Sequence, residues 1–259
     1  MILAFVVVMA CSASSIFAAV RTQVVHYQHG DVVLEGYLAW DDSSDAPRPA
    51  VIVVHEWWGN NQYSRRRAEQ LAQLGYVGFA IDMYGKGKIT DQVKQAGEWS
   101  GQIRSNPKLA MERVSAAIDV LKRQPMVDGE RLAAIGYCFG GGVVLEMARQ
   151  NLPVLGVVSF HGSLASQPGA ATQPIRPKIL VCHGADDSFI SPQELAGFKE
   201  EMRRSGADWQ LIEYGGAVHA FTNPDADKAG LQGVAYNQQA DRRSWQAMQN
   251  FLTELFGGK

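Results

Sequence analysis

The chain has 259 residues, 46% of them hydrophobic and 19% charged, and a formal net charge of −2. This is the composition of an ordinary globular protein, long enough to bury one large core. Near-neutral charge and six scattered histidines exclude a nucleic-acid surface and a polybasic membrane patch, which leaves small-molecule chemistry.

Residues 1–20 carry no charged side chain and run from Ile2-Leu3-Ala4-Phe5 through Val6-Val7-Val8 to a small-residue stretch ending at Ala18-Ala19. That pattern reads as a secretory apolar region followed by a cleavage region, so residues 1–18 are expected to be a signal peptide and 19–259 a single domain exported to the periplasm. Val8-Met9-Ala10-Cys11 also resembles a lipoprotein cleavage box, which makes lipid anchoring through Cys11 the second choice. With the leader removed, only Cys138 and Cys182 remain, too few for a disulfide framework.

Alternation predicts strands over Gln23–Tyr27 and Val32–Trp40, followed by a polar loop over Asp41–Pro49. Ala50–Val54 is continuously apolar, as expected of a strand buried on both faces. Gln62–Leu74 has helical periodicity with Gly75 as its stop, and Tyr76–Ile81 is the next strand. Further on come a helix over Pro107–Leu121, a strand over Arg131–Ile135 and a helix over Val143–Arg149. Strands at Val154–Phe160 and Lys178–Cys182, a helix at Pro192–Arg204, a strand at Trp209–Tyr214 and a C-terminal helix through Trp245 and Phe251 complete the pattern. Strands alternating with helices imply crossover units, hence an α/β fold with a mostly parallel sheet.

In such a sheet the ligand site lies beyond the carboxyl ends of the strands. Gly136-Tyr137-Cys138-Phe139-Gly140-Gly141 follows one of those strands and has the form of a nucleophile elbow with cysteine at its centre. The glycines make room for a sharp strand-to-helix turn, and the helix N-terminus favours a thiolate at Cys138. The hydrolase order of nucleophile, acid, histidine then eliminates most candidates. His26, His29, His55, His161 and His183 all precede the acid, and only His219 follows it. Between Asp186 and Asp187 the choice is less clear; Asp187 is favoured because Asp187-Ser188-Phe189-Ile190 has the usual acid-x-x-apolar continuation. No ligand pair has metal-site spacing, and Gly140-Gly141-Gly142 lacks the lysine of a phosphate loop, so neither metal nor cofactor is expected.

The elbow, Glu56 two residues after a buried strand, Asp187-Ser188-Phe189-Ile190 and His219-Ala220-Phe221-Thr222-Asn223-Pro224 together resemble the dienelactone hydrolase family. The resemblance runs from about Thr22 to Phe256. It implies the α/β-hydrolase fold and a Cys138–His219–Asp187 triad acting on activated esters or enol lactones through an acyl-enzyme. It further implies an oxyanion hole from the N–H groups of Trp57 and Phe139, with Glu56 approaching the resting thiol and helping to deprotonate it. Where better-known members bind a substrate carboxylate with two arginines, this chain has Lys86 and Asn223, so hydrolysis is better supported than dienelactone itself as the substrate. Trp57, Trp58, Tyr84 and Phe221 are expected to line the pocket, and the chain is expected to act as a monomer on a small molecule, with no membrane span. A reading from another class is a redox-responsive carrier that keeps the fold and binds a lactone or carboxylate without turnover, since an exported thiolate is open to oxidation.

Overall fold

Apolar runs with no polar alternation must be covered on both faces, and the chain does this with one eight-stranded sheet between two helical layers. The computed structural model describes residues 19–166 and 173–257; the expected leader, with Cys11, lies outside them. The strands are β1 (Val20–His29), β2 (Val32–Asp41), β3 (Arg48–Val54), β4 (Val77–Ile81), β5 (Val127–Tyr137), β6 (Gly156–Phe160), β7 (Lys178–Gly184) and β8 (Trp209–Tyr214). Their order across the sheet is β1-β2-β4-β3-β5-β6-β7-β8. β1 and β2 pair antiparallel as a hairpin at one edge, β2 joins β4 antiparallel, and every pairing from β4 to β8 is parallel.

The helices are α1 (Gln62–Gln73), α2 (Val93–Arg104), α3 (Pro107–Lys122), α4 (Phe139–Arg149), α5 (Pro192–Arg204) and α6 (Gln238–Phe256). Strand residues alternate between two cores. Ile52, Val54, Phe79 and Ala134 pack with α3, α4 and α5 on one face, whereas Val51, Val53, Ala80 and Ile135 pack with α1 and α6 on the other. Helix starts follow capping chemistry: Asn61, Asn106, Ser191 and Asn237 each accept a first-turn N–H, and Pro107 and Pro192 open their helices. No described helix is long and apolar enough to cross a membrane.

α2 has no counterpart among the sequence-predicted elements. Its segment contains Gly97 and Gly101, and its N-cap, Gln92, makes no side-chain cap bond, so the local start signal is missing. It is held instead by burial of Ala96, Ser100 and Ile103. Within each layer an ion pair joins two helices. Arg149 on α4 meets Glu201 on α5 with bonds of 2.9 Å to each carboxylate oxygen, and Arg67 on α1 meets Asp241 on α6 at 2.6 Å.

Candidate active site

β5 ends at Tyr137 and α4 begins at Phe139, leaving Cys138 alone to make the turn, with φ 51° and ψ −113°. A side chain rarely adopts a positive φ, and the tight turn explains why it is forced here. A Cβ on Gly136 would collide with the carbonyl oxygen of Gly140, and one on Gly140 with that of Val54. The two glycines let the first turn of α4 press against β5 and β3, which pushes Cys138 outward. Its side chain makes no helix-capping bond, so the sulfur is free for other contacts.

The sulfur meets the loop after β8. His219 Nε2 lies 3.1 Å from Cys138 Sγ, and His219 Nδ1 lies 2.8 Å from Asp187 Oδ2. Asp187 is buried and its Oδ1 accepts the Phe189 N–H at 2.9 Å, which fixes the carboxylate; Asp186 faces solvent. Packing thus separates the two neighbouring acids, placing beside His219 the Asp187 that the sequence favoured. The histidine loop is pinned on both sides: His219 N–H donates to Gly233 O and Ala235 N–H to His219 O. Burial alone would lower the His219 pKa. The neighbouring Cys138 sulfur and the hydrogen bond to Asp187 outweigh it and raise it to about 10.

Glu56 follows β3 and is buried. Its carboxyl is pushed up to about 7 by burial, against the lowering effects of a hydrogen bond from Asn223 and the charges of His219 and Arg67. Asn223 Nδ2 donates to Glu56 Oε2 at 2.6 Å. The hydrogen-bond partner of the sulfur is therefore His219, and that of Glu56 is Asn223, where the resemblance implied a glutamate turned toward the thiol. Neither the Trp57 N–H nor the Phe139 N–H is taken by another described group, and both residues border the cleft beside Cys138.

The cleft has a volume of about 900 Å³, and its walls are mainly apolar, with Trp57, Trp58, Ile103, Met111, Phe139 and Val143 among them. Trp58 and Asn223 border it. Three other residues do not line it. Tyr84 is buried behind the wall, its hydroxyl donating to Trp57 O at 3.1 Å. Phe221 is wholly buried and packs against His161 and Tyr214. Lys86 is turned to solvent by a loop in which Gly85 and Gly87 both have positive φ, and its own N–H donates to Val33 O.

Three cations border the cleft: Arg149 and Lys228 are paired with Glu201 and Asp225, and Arg104 stands at the end of α2 with its guanidinium 5.6 Å from the Phe139 ring centroid. Among the described residues it has no ion-pair partner. It went unnoticed in the sequence because α2 itself did. Phe189, 55% exposed, stands over the mouth with its ring edge-on to His219. Cys182 is a packed strand residue whose thiol is raised to about 12 by burial, and both described cysteines are free.

The sequence profile of the dienelactone hydrolase family matches residues 34–256. The chain belongs to that family. A solved dienelactone hydrolase-like promiscuous phosphotriesterase, P91, from metagenomic libraries is 40% identical, with a TM-score of 0.88 over 92% of this chain and 100% of that one. The uncharacterized protein K02A2.1 of Caenorhabditis elegans is 38% identical over 146 residues, covering 56% of this chain and 92% of its own. A Saccharolobus solfataricus protein, named provisionally as a carboxymethylenebutenolidase, is 25% identical over 89% of this chain and 98% of its own. This dienelactone hydrolase family member is a carboxylic ester hydrolase with the α/β-hydrolase fold.

Proposed function

We propose that the protein hydrolyses activated carboxylic esters and enol lactones with Cys138 as nucleophile. The observation that carries this reading is the continuous chain from Cys138 Sγ to His219 Nε2 at 3.1 Å and from His219 Nδ1 to Asp187 at 2.8 Å. His219 takes the thiol proton, and the thiolate attacks the acyl carbon. The carbonyl oxygen becomes an oxyanion facing the Trp57 and Phe139 N–H groups, each such donor contributing on the order of 3 kcal/mol to the transition state. Collapse breaks the acyl–oxygen bond, and the leaving alkoxide or enolate receives the proton from His219. Water, deprotonated by His219, then cleaves the thioester, and a carboxylic acid departs as the thiol is restored. A good leaving group suits this chemistry, since an enolate needs little acid assistance.

The reading is tested by hydrolysis of a dienelactone and of an activated aryl ester by the reduced protein, beside Cys138→Ala. Turnover that disappears in the variant is expected; equal turnover in the variant would refute the cysteine nucleophile. An aryl phosphotriester is a useful second probe because of the name carried by the P91 relative. We further propose that the protein is exported to the periplasm and works as a monomer. The uncharged apolar stretch of residues 1–20 supports export. The mass of the protein recovered from the periplasm and light scattering of the purified chain check the two statements.

A further inference from the structure

One buried imidazole near the triad takes no part in the proton transfers described above. His161 follows β6, is fully buried and has a φ of 41°, its own N–H donating to Cys182 O. Its Nδ1 lies 3.1 Å from the backbone nitrogen of Cys138, and its Nε2 lies 2.7 Å from Thr222 Oγ1. An amide nitrogen can only donate, so Nδ1 is the bare, accepting nitrogen and the ring proton sits on Nε2, directed at the threonine hydroxyl. Thr222 in turn is fixed at both ends: its hydroxyl contacts Tyr63 OH at 2.7 Å and its carbonyl accepts from Arg67 at 2.8 Å. The ring stands edge-on to His219, with centroids 5.4 Å apart, and edge-on to Phe221.

A single ring therefore spans the two segments whose separation sets the sulfur-to-imidazole distance: the elbow at Cys138, and the loop that carries His219 three residues before Thr222. We propose that His161 is a positioning residue, a neutral strut whose Nδ1 anchors the strained Cys138 amide and whose Nε2–H anchors the histidine loop. Neutrality is required for this, because a proton on Nδ1 would remove the acceptor. Burial, and then the positive charges of His219 and Arg67, keep its pKa well below the usual value; His183 adds to the same effect. The Cys138 N–H also donates to Phe160 O at 3.0 Å, so the ring adds a second acceptor that fixes the direction of the amide. The Phe139 N–H of the oxyanion hole belongs to the next residue, so the same anchor aims both nucleophile and donor. Displacements of about 1 Å in such an arrangement cost on the order of 100-fold in rate.

The inference rests on Cys138 being the nucleophile, and the test separates the two. In His161→Asn, Oδ1 occupies the place of Nδ1, accepts the Cys138 N–H and tolerates the positive φ, but does not reach Thr222. In His161→Gln, the longer amide reaches toward Thr222 and leaves the Cys138 N–H with Phe160 O as its one acceptor among the described residues. With an aryl ester, and rates normalised to burst amplitude, His161→Gln is expected to lose about 30-fold or more in kcat with KM within about twofold, while His161→Asn recovers most of the loss. Thr222→Val is expected to reduce kcat about threefold in the natural protein, matching His161→Asn, and to have no further effect in the His161→Asn background. Equal losses in the Asn and Gln variants, or the same cost of Thr222→Val in both backgrounds, would overturn the strut. If His161→Gln fails to fold, the Thr222→Val comparison decides alone. Absence of any Cys138-dependent turnover in the natural protein would sink the hydrolase reading and the strut with it.

Discussion

Glu56→Gln is expected to make the protein more stable at alkaline pH and to flatten its stability profile between pH 5 and 8. The carboxyl is 3% exposed, and burial lifts its pKa from 4.5 to about 7. A raised acid pKa means that the folded state binds a proton more tightly than the unfolded state. The stability this contributes is complete below about pH 4.5 and is lost as pH rises through 7. A shift from 4.5 to about 7 corresponds to roughly 3 kcal/mol in full, at about 1.4 kcal/mol per unit, of which roughly 2.5 kcal/mol falls between pH 5 and 8. Glutamine fills the same space, and its amide oxygen can still accept the Asn223 bond. Urea unfolding of the natural protein and of Glu56→Gln at half-unit pH intervals measures the difference directly, since all other titrating groups cancel. The two curves should diverge by roughly 2.5 kcal/mol from pH 5 to pH 8, the natural protein falling away at the alkaline end. Curves that run parallel to within about 0.5 kcal/mol would show that Glu56 is ionised in the fold at all these pH values, and the burial argument would be wrong.

Asp187→Asn should lower kcat by three to four orders of magnitude, about the cost of losing the partner that sets the histidine tautomer, whereas Asp186→Asn should leave kcat within about twofold; steady-state hydrolysis of an aryl ester compares them. Arg149→Met should cost about 3–5 kcal/mol in urea unfolding by stranding the buried Glu201 carboxylate, and Arg149→Met with Glu201→Leu should recover most of it. Gly140→Ala should leave little soluble protein on expression, because its Cβ meets the carbonyl oxygens of Val54 and His55, which are rigid strand-end backbone. Phe189→Ala should lower kcat/KM for a bulky acyl ester about fivefold while affecting an acetate ester little, as expected if the ring covers the cleft mouth rather than the triad.

What the sequence disclosed depended on whether the signal was local. The run Ala50–Val54 is apolar because β3 lies between two neighbours and beneath two helical layers, and that doubly buried environment can be read from five residues. The elbow was legible for a similar reason, since its glycines answer steric demands a few residues away. Lys86 and Tyr84 illustrate the opposite case. Both follow β4 and both have plausible chemistry, but the path of the loop through Gly85 and Gly87 decides that one side chain meets solvent and the other the back of the wall. Arg104 reached the cleft on a helix held by burial rather than by propensity. His161 was set aside by the chain-order rule, which concerns the histidine that moves protons and is silent on one that holds a backbone.

The resulting distribution of charge bears on which substrates this family member can take. In the cleft wall Asn223 stands where the resemblance would have an arginine, and its partner Glu56 is pushed up to about 7, so position 223 supplies no fixed positive charge. An arginine at position 223 would hold Glu56 ionised, whereas an amide donates a hydrogen bond and leaves burial to dominate the carboxyl. In the proposed mechanism the thiolate formed at Cys138 would be balanced by His219, which the carboxylate of Asp187 steadies from behind. Under that mechanism a substrate carboxylate would find an unpaired counter-charge at Arg104, beside the Phe139 ring, while a neutral ester needs only the apolar walls and the proposed oxyanion donors. The proposed thiol activation through His219 and Asp187 thus does not require a charged substrate.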